Sequence, residues 1–321
     1  MKAIRIHESG GPEVLKYEEC PNPTPGPDQV LINVQASGVN FMDVGRRKGT
    51  MPSQLPMTLG GEAAGIVSAI GSEVTEVQVG DLVGSPSVIG GYAEQALAPA
   101  ARTIKLPPGT DATTGAAALL QGMTAHALAY GSYPLKPGDR ALVHAGAGGV
   151  GLLLIQMAKT LGAYVYATVS TEQKATLASN MGADKVIIYT RQDFAVEINK
   201  ETAGEGVQVI YDSVGRETFD QDIKCLGRRG FLVLYGQSSG PIPPIDLSIL
   251  GGKSLAIARG GLANYTVTRE ALLQRANDVL GWINSGKLKL NIHKTYALSD
   301  AAQAHRELEG RQTTGKLLLV P

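Results

Sequence analysis

Between Ala125 and Gly260 the chain repeats one rhythm, a short β-branched or aromatic run followed by a helical stretch: RALVHAG, GVGLLLIQMAKTLG, YVYATV, TEQKATLASNMG, KVIIY, QVIYD, ETFDQDIKCLG and GFLVLYG. Strands that alternate with helices in this way run parallel, because each helix carries the chain back across a face of the sheet before the next strand starts. The segment is expected to form a parallel sheet with helices on both faces. That makes the chain α/β, with one doubly wound domain.

The flanks read differently. From Met1 to about Thr124 the runs AIRIH, QVLINVQASGV, AAGIVSAIG, GDLVG and YAEQALAP are short and cut by Gly and Pro, the pattern of a partly closed β-barrel. The tail carries a helix over roughly Arg269–Ser285, a strand near Thr295, a helix over Ser299–Glu309 and the apolar run KLLLVP. These elements cannot bury themselves alone and must pack on another unit. A chain of 321 residues has room for about two domains.

Composition removes several function classes. Lys plus Arg and Asp plus Glu both number 29, and no stripe interleaves basic with aromatic residues, so nucleic acid is not an expected partner. Cys20 and Cys225 lie far apart and offer neither a disulfide framework nor a CxxC pair. His7, His126, His144, His293 and His305 never fall at ligand spacing, so no metal site is expected. No run approaches the roughly 18 apolar residues of a membrane span, and MKAIRIHESGGPEVL alternates like a strand and lacks a signal-peptide core. The expectation is a soluble cytoplasmic protein.

The motif with the most chemical content is Gly146-Ala147-Gly148-Gly149-Val150-Gly151, which satisfies G-x-G-x-x-G between the strand run Ala141–His144 and an apolar helix. The first glycine makes the tight turn, the second admits a pyrophosphate to the backbone, and the third lets helix and strand touch. The helix start then offers N–H donors and a positive dipole end to phosphate. About 20 residues on, a site for NAD would carry an acid; this chain reads Ala167-Thr168-Val169-Ser170-Thr171, with Lys174 beyond. Hydroxyl donors and a cation suit a 2′-phosphate, and Tyr189 and Arg191 end the neighbouring strand beside Lys174. The cofactor expected on these grounds is NADPH.

ASGVNFMD at 36–43, AGAGGVG at 145–151, STEQK at 170–174, YDSVG at 211–215 and the C-terminal TGKLLLVP together resemble the zinc-independent, zeta-crystallin-like quinone oxidoreductases of the medium-chain dehydrogenase/reductase superfamily. The resemblance runs in order along the whole chain. It implies a discontinuous GroES-like catalytic domain, residues 1–124 and 261–321, a Rossmann domain over 125–260, and NADPH in the cleft between them. Zinc-dependent relatives place a cysteine at the position of Asn40 and a His-Glu pair at Gly61-Glu62, so both soft ligands are missing here. By the same resemblance Asn40 lies by the nicotinamide and orders water or substrate there, Asp43 belongs to the same turn-plus-helix segment, and Thr124 lies at the hinge near the nicotinamide. Ser213 lies at a strand end near the cofactor, Gly236, Gln237 and Ser238 form the loop beside the nicotinamide ribose, and Arg259, Gly260 and Arg311 line the cofactor's outer side. With Gly148, Gly149, Val150, Ser170, Thr171, Lys174 and Tyr189 they complete the implied cofactor site. Read from residues alone, Asn40 and Asp43 also suit a helix cap, and Lys174 and Arg311 also suit a solvated surface.

Without a metal to polarise it, the acceptor must be activated by its own electronics, as a quinone or an α,β-unsaturated carbonyl is. Many relatives carry tyrosines where this chain has Gly45 and Met51, which leaves a roomier pocket and removes a proton donor that alkene reduction needs. The leading expectation is therefore an NADPH-dependent quinone oxidoreductase. The alternatives are a reductase of activated alkenes such as enals, enones or acrylates, and an NADPH-binding sensor or structural protein with little turnover. Arg46-Arg47-Lys48 reads as a solvated helix end in preference to a contact for an acidic substrate group. The family also implies a homodimer, edge to edge through Phe231–Gly236 and Ile242–Ile257.

Overall fold

The β-rich first stretch folds as its punctuation suggests. It runs β1 (Lys2–Ile6), β2 (Lys16–Glu19), β3 (Gln29–Val39), α1 (Phe41–Arg47), β4 (Met57–Thr58), β5 (Ala63–Ile70), β6 (Leu82–Ser85), β7 (Gln95–Pro99), β8 (Ile104–Lys105) and α2 (Ala112–Ala127). The long strand β3 is the hub, pairing antiparallel with both β5 and β7. Gly65 lets β5 close on it, since a Cβ there would sit 1.9 Å from the Asn33 carbonyl oxygen. Val30, Ile32, Val34, Val67 and Val83 fill the core behind this sheet.

The alternating stretch gives β9 (Arg140–Val143), α3 (Gly149–Thr160), β10 (Tyr164–Val169), α4 (Glu172–Asn180), β11 (Lys185–Ile188), α5 (Phe194–Glu201), β12 (Val207–Asp212), α6 (Phe219–Cys225), β13 (Leu226–Leu234), β14 (Ala256–Arg259) and α7 (Leu262–Tyr265). The six strands are parallel in the order β11-β10-β9-β12-β13-β14. The order reverses between β9 and β12. In an open α/β sheet the crevice at such a reversal, beyond the carboxyl ends of the strands, is where ligands bind. The Phe231–Gly236 segment is not a sheet edge, as the dimer expectation requires: β13 is hydrogen-bonded on both sides, and the free edge belongs to β14.

The tail adds α8 (Arg269–Asn284), β15 (Ile292–Ala297), α9 (Ala301–Glu309) and β16 (Lys316–Val320). β16 pairs with β3, Leu318 opposite Gly38, so the last residues complete the first sheet. The computed structural model describes residues 1–321 as two units, Met1–Gln121 with Thr268–Pro321, and Gly122–Val267. The boundaries read from the sequence, after 124 and before 261, both shift. Residues 261–267 stay with the second unit because the Tyr265 ring packs on Gly131 and its hydroxyl accepts a 2.9 Å hydrogen bond from Ser132.

Candidate active site

In the second unit, β9 ends at Val143 and the chain turns through Ala145, which takes the left-handed region at φ 50. Gly148 then starts α3 with no side chain capping its first turn, so those N–H groups face outward without a competing acceptor. Only glycine fits at two of the three motif positions: a Cβ on Gly151 would lie 2.4 Å from the Ala145 oxygen, and one on Gly146 would lie 2.8 Å from the Ala167 Cβ. At Gly148 the sole neighbour within 4 Å would be that same oxygen, at 3.1 Å, which leaves the outer side open. This uncapped, Cβ-free cradle fits a pyrophosphate, with Gly149 and Val150 supplying the first helical amides.

Ser170 and Thr171 follow β10, and Thr171 caps α4 by accepting from the Lys174 amide. Lys174 is thus in the first turn of α4, beside both hydroxyls. The expectation that no acid stands at this end fails: Glu172 opens the same helix, and Arg191 reaches it at 2.6 Å. Arg191 is accordingly committed to Glu172 and cancels its charge, and Tyr189 is exposed nearby at the end of β11.

The loops after β12 and β13 are zipped together. The Ser238 amide donates to the Ser213 carbonyl, and a Cβ on Gly236 would sit 2.6 Å from that same oxygen, so Ser213, Gly236, Gln237 and Ser238 form one surface. Arg259 ends the edge strand, and the Gly260 amide donates to Leu234. Thr124 lies in α2 within this unit, whereas Arg311 belongs to the other unit, just past α9 with left-handed backbone.

The first unit holds a second group of polar residues at the turn from β3 into α1. Asn40 caps α1, its amide donating to Asp43 Oδ2. Its side chain is fully used: Nδ2 donates to the Gly38 oxygen and to Glu62 Oε2, and Oδ1 accepts from Lys316 Nζ at 2.8 Å. Lys316 and Glu62 are buried and meet at 2.6 Å, and Glu62 Oε1 accepts from the Leu120 amide. A buried ammonium therefore stands against Asn40 and Glu62. Gly38 is required opposite, since its Cβ would lie 2.3 Å from Glu62 Oε2.

Asp43 is buried, and burial pushes its carboxyl up to about 6 even though the Asn40 amide and the Tyr92 hydroxyl hold it down. Tyr92 donates to Oδ2 at 3.0 Å, and His305 Nε2 lies 3.2 Å from the same hydroxyl. His305 Nδ1 meets Arg47 Nη1, and burial together with that guanidinium lowers the imidazole to about 3. The reading of Arg46-Arg47-Lys48 as a solvated end fails at Arg47, which is fully buried and pairs with Glu309 at 2.8 Å. The Met51 side chain packs against Gly45, its sulfur 3.1 Å from where a Gly45 Cβ would be.

Tyr92, His305, Arg47 and Lys316 escape sequence reasoning because each reaches the site from a different element. The lone signal is Lys316, a charged residue opening the apolar run KLLLVP. The second unit has its own buried cluster: His144 Nε2 meets Asp222 Oδ1 at 2.7 Å, His144 Nδ1 meets Thr168, and Asp212 accepts from Val214, Gly215 and Thr218. Ligand atoms of His144, Asp212 and Asp222 lie within 4.8 Å of one another. Their hydrogen bonds account for the arrangement as a joint between β9, β10, β12 and α6.

A GroES-like barrel whose sequence is interrupted by a Rossmann-type unit defines the medium-chain dehydrogenase/reductase class. Two family profiles match accordingly, an alcohol dehydrogenase GroES-like domain over residues 26–108 and a zinc-binding dehydrogenase domain over 149–277. A quinone oxidoreductase of Pseudomonas aeruginosa is 40% identical over 323 residues, spanning 100% of this chain and 99% of its own length. A 2-haloacrylate reductase of Burkholderia sp is 39% identical, spanning 99% of this chain and 98% of its own. The solved structure of Escherichia coli quinone oxidoreductase complexed with NADPH matches with a TM-score of 0.97 at 40% identity, over 100% of both chains. The chain belongs to the zinc-independent quinone oxidoreductase family of that superfamily.

Proposed function

We propose that this protein is an NADPH-dependent quinone oxidoreductase that works without a metal. The observation that carries the reading is the Asn40–Lys316–Glu62 cluster: an amide and a backbone glycine occupy the positions where metal-using relatives carry thiolate and imidazole, and a buried ammonium already neutralises Glu62. No residue in that turn offers a soft ligand, so the acceptor must be electron-poor by itself. The full-length likeness to quinone oxidoreductases supports the same substrate class.

Bound NADPH supplies the hydride. The uncapped start of α3, with Gly146, Gly148, Gly149, Val150 and Gly151, would hold its pyrophosphate, and Ser170, Thr171, Lys174 and Tyr189 its adenosine 2′-phosphate. Thr124, Ser213, Gly236, Gln237, Ser238, Arg259, Gly260 and Arg311 complete the cofactor's surroundings in this reading. Asn40 acts by shape, since both of its amide hydrogens are committed. The exposed, adjacent Phe41 and Met42 offer apolar surface for a flat ring. Catalysis then rests on positioning.

A second reading, reduction of activated alkenes, is favoured by the 2-haloacrylate reductase relative and by the buried acid Asp43. No helix is long and apolar enough to cross a membrane, and we place the protein in the cytoplasm. A homodimer built on the free edge of β14 and the Ile242–Ile257 segment fits the exposed Leu247 and Ile249. The test is NADPH oxidation with ortho- and para-quinones, alongside enones and acrylates. Tight NADPH binding with no turnover of any acceptor overturns the enzyme reading in favour of a sensor.

A further inference from the structure

The donors around Asp43 all point one way. Arg47 Nη1 always carries hydrogen, so the facing His305 Nδ1 must accept from it at 3.2 Å. The imidazole proton of the neutral ring is thereby fixed on Nε2, from which it is donated to the Tyr92 oxygen. Tyr92 then has its hydroxyl hydrogen free for Asp43 Oδ2, which also accepts from the Asn40 amide. The Tyr92 hydroxyl and the Asn40 backbone amide thus occupy one oxygen of the carboxyl, with His305 and Arg47 lined up behind Tyr92. The other oxygen, Oδ1, is buried and has no hydrogen-bond partner.

That oxygen borders the place a side chain of Gly61 would take. A Cβ built on Gly61 lies 3.8 Å from Asp43 Oδ1 and 3.4 Å from Arg46 Nη1, and Gly61 itself is partly exposed. A small polar atom entering there meets a carboxyl group on one side and a guanidinium on the other. Because Oδ2 is committed as an acceptor, a proton on Asp43 resides on Oδ1, on the side that faces Gly61.

We infer that Asp43 is the general acid that hands a proton from Oδ1, on the side of Gly61, to the hydride-reduced acceptor, with Tyr92 as the positioning residue that holds Oδ2. This rests on the NADPH reductase reading above and extends its substrate class to activated alkenes, the acceptors that need a placed proton donor. The acceptor gains hydride at the carbon β to its carbonyl and becomes an enolate. The Asp43 O–H bond breaks as a new bond to hydrogen forms on the enolate, and the carboxylate left behind takes a proton from water. The sum is acceptor, NADPH and one proton to reduced acceptor and NADP⁺. The Tyr92–His305–Arg47 chain does not feed this step, because its last donor, a guanidinium, does not release a proton.

The groups that set the acid's behaviour are Arg46 on α1, Tyr92 before β7 with His305 on α9 behind it, and Lys316 on β16 with Glu62 beyond it. Burial makes Asp43 hold its proton to about pH 6, and the Tyr92 hydroxyl opposes that. Turnover of an alkene should fall as pH rises through that value, since the acid form is lost.

The test uses the full chain with NADPH, a haloacrylate or enone, and a quinone. In Asp43→Asn, whose amide oxygen can still accept from Tyr92 and the Asn40 amide, alkene kcat should drop about 100-fold or more while quinone kcat drops less than about tenfold, because a quinone oxygen takes its proton from water. The KM for NADPH should stay put. In Tyr92→Phe the alkaline limb of the alkene profile should move to higher pH, and His305→Gln, which keeps an acceptor for Arg47 and a donor for Tyr92, should leave it in place. Gly61→Ala meets no contact closer than 3.4 Å and so should fold, yet its methyl stands against Asp43 Oδ1 and should slow alkene turnover selectively. Equal losses for both acceptors in Asp43→Asn, an unmoved limb in Tyr92→Phe, or a wild-type enzyme that reduces quinones but no activated alkene each overturns the proposal. A wild type that reduces neither overturns the underlying reductase reading instead.

Discussion

Lys316 and Glu62 face each other with no access to solvent, and their value to the protein depends on both being present. Removing one partner strands a buried charge at a cost of roughly 3–5 kcal/mol, whereas replacing both with neutral groups of similar size is far milder. Lys316→Met should therefore lower the urea midpoint sharply, and the Glu62→Gln/Lys316→Met double variant should recover most of it. A double variant as unstable as the single one would show that the pair's value is not electrostatic. Lys174 makes a separable prediction. Its replacement by Ala should weaken NADPH more than NADH in direct binding, and equal losses would refute the 2′-phosphate assignment. The turn at Gly148 and the first turn of α4 at Lys174 are legible in the sequence because the groups that shape them, Ala145 and Thr171, lie a few positions away. Tyr92, His305 and Lys316 are not, because they act on α1 across separations of dozens to hundreds of residues, and no local pattern records that a lone histidine or lysine will be buried.

At the scale of elements, α3 and α6 show how one sheet end is built. α3 can present free amides because Gly151 lets its first turn touch Ala145, so Gly151→Ala pushes backbone against backbone and should cost NADPH affinity before it costs the fold. α6 is tied to β9 by the His144–Asp222 pair. Burial raises the Asp222 carboxyl to about 7, and burial opposes the His144 charge while Asp222 raises it, so both groups bind protons more tightly folded than unfolded. With pKa values raised on folding, stability is fully present at low pH and is lost as pH rises through about 4 to 7 and above. Melting temperature should fall between pH 5 and 8, and Asp222→Asn should flatten that fall by roughly 5 °C. Identical slopes in the two proteins would contradict this. The alternation of strand and helix announced these elements plainly. Their ends were harder to read, because the acid opening α4, Glu172, and its partner Arg191 are matched only once β10 and β11 lie side by side.

The whole molecule keeps a discontinuous unit, with β16 from the far end of the chain laid on β3. That closure brings Lys316 to Asn40 and α9 to Tyr92, so truncating the tail would dismantle the turn from β3 into α1 as well as the sheet. The neutral overall charge conceals buried cations and carboxylates that are matched one against another. In the proposed function this matched turn, which offers no soft metal ligand, supports hydride transfer to an electron-poor acceptor with no metal. That function is tested most directly by following NADPH oxidation with a quinone in enzyme dialysed exhaustively against a strong chelator. Full turnover with undetectable bound metal is the predicted result. Activity that disappears on chelation and returns with added zinc would contradict it.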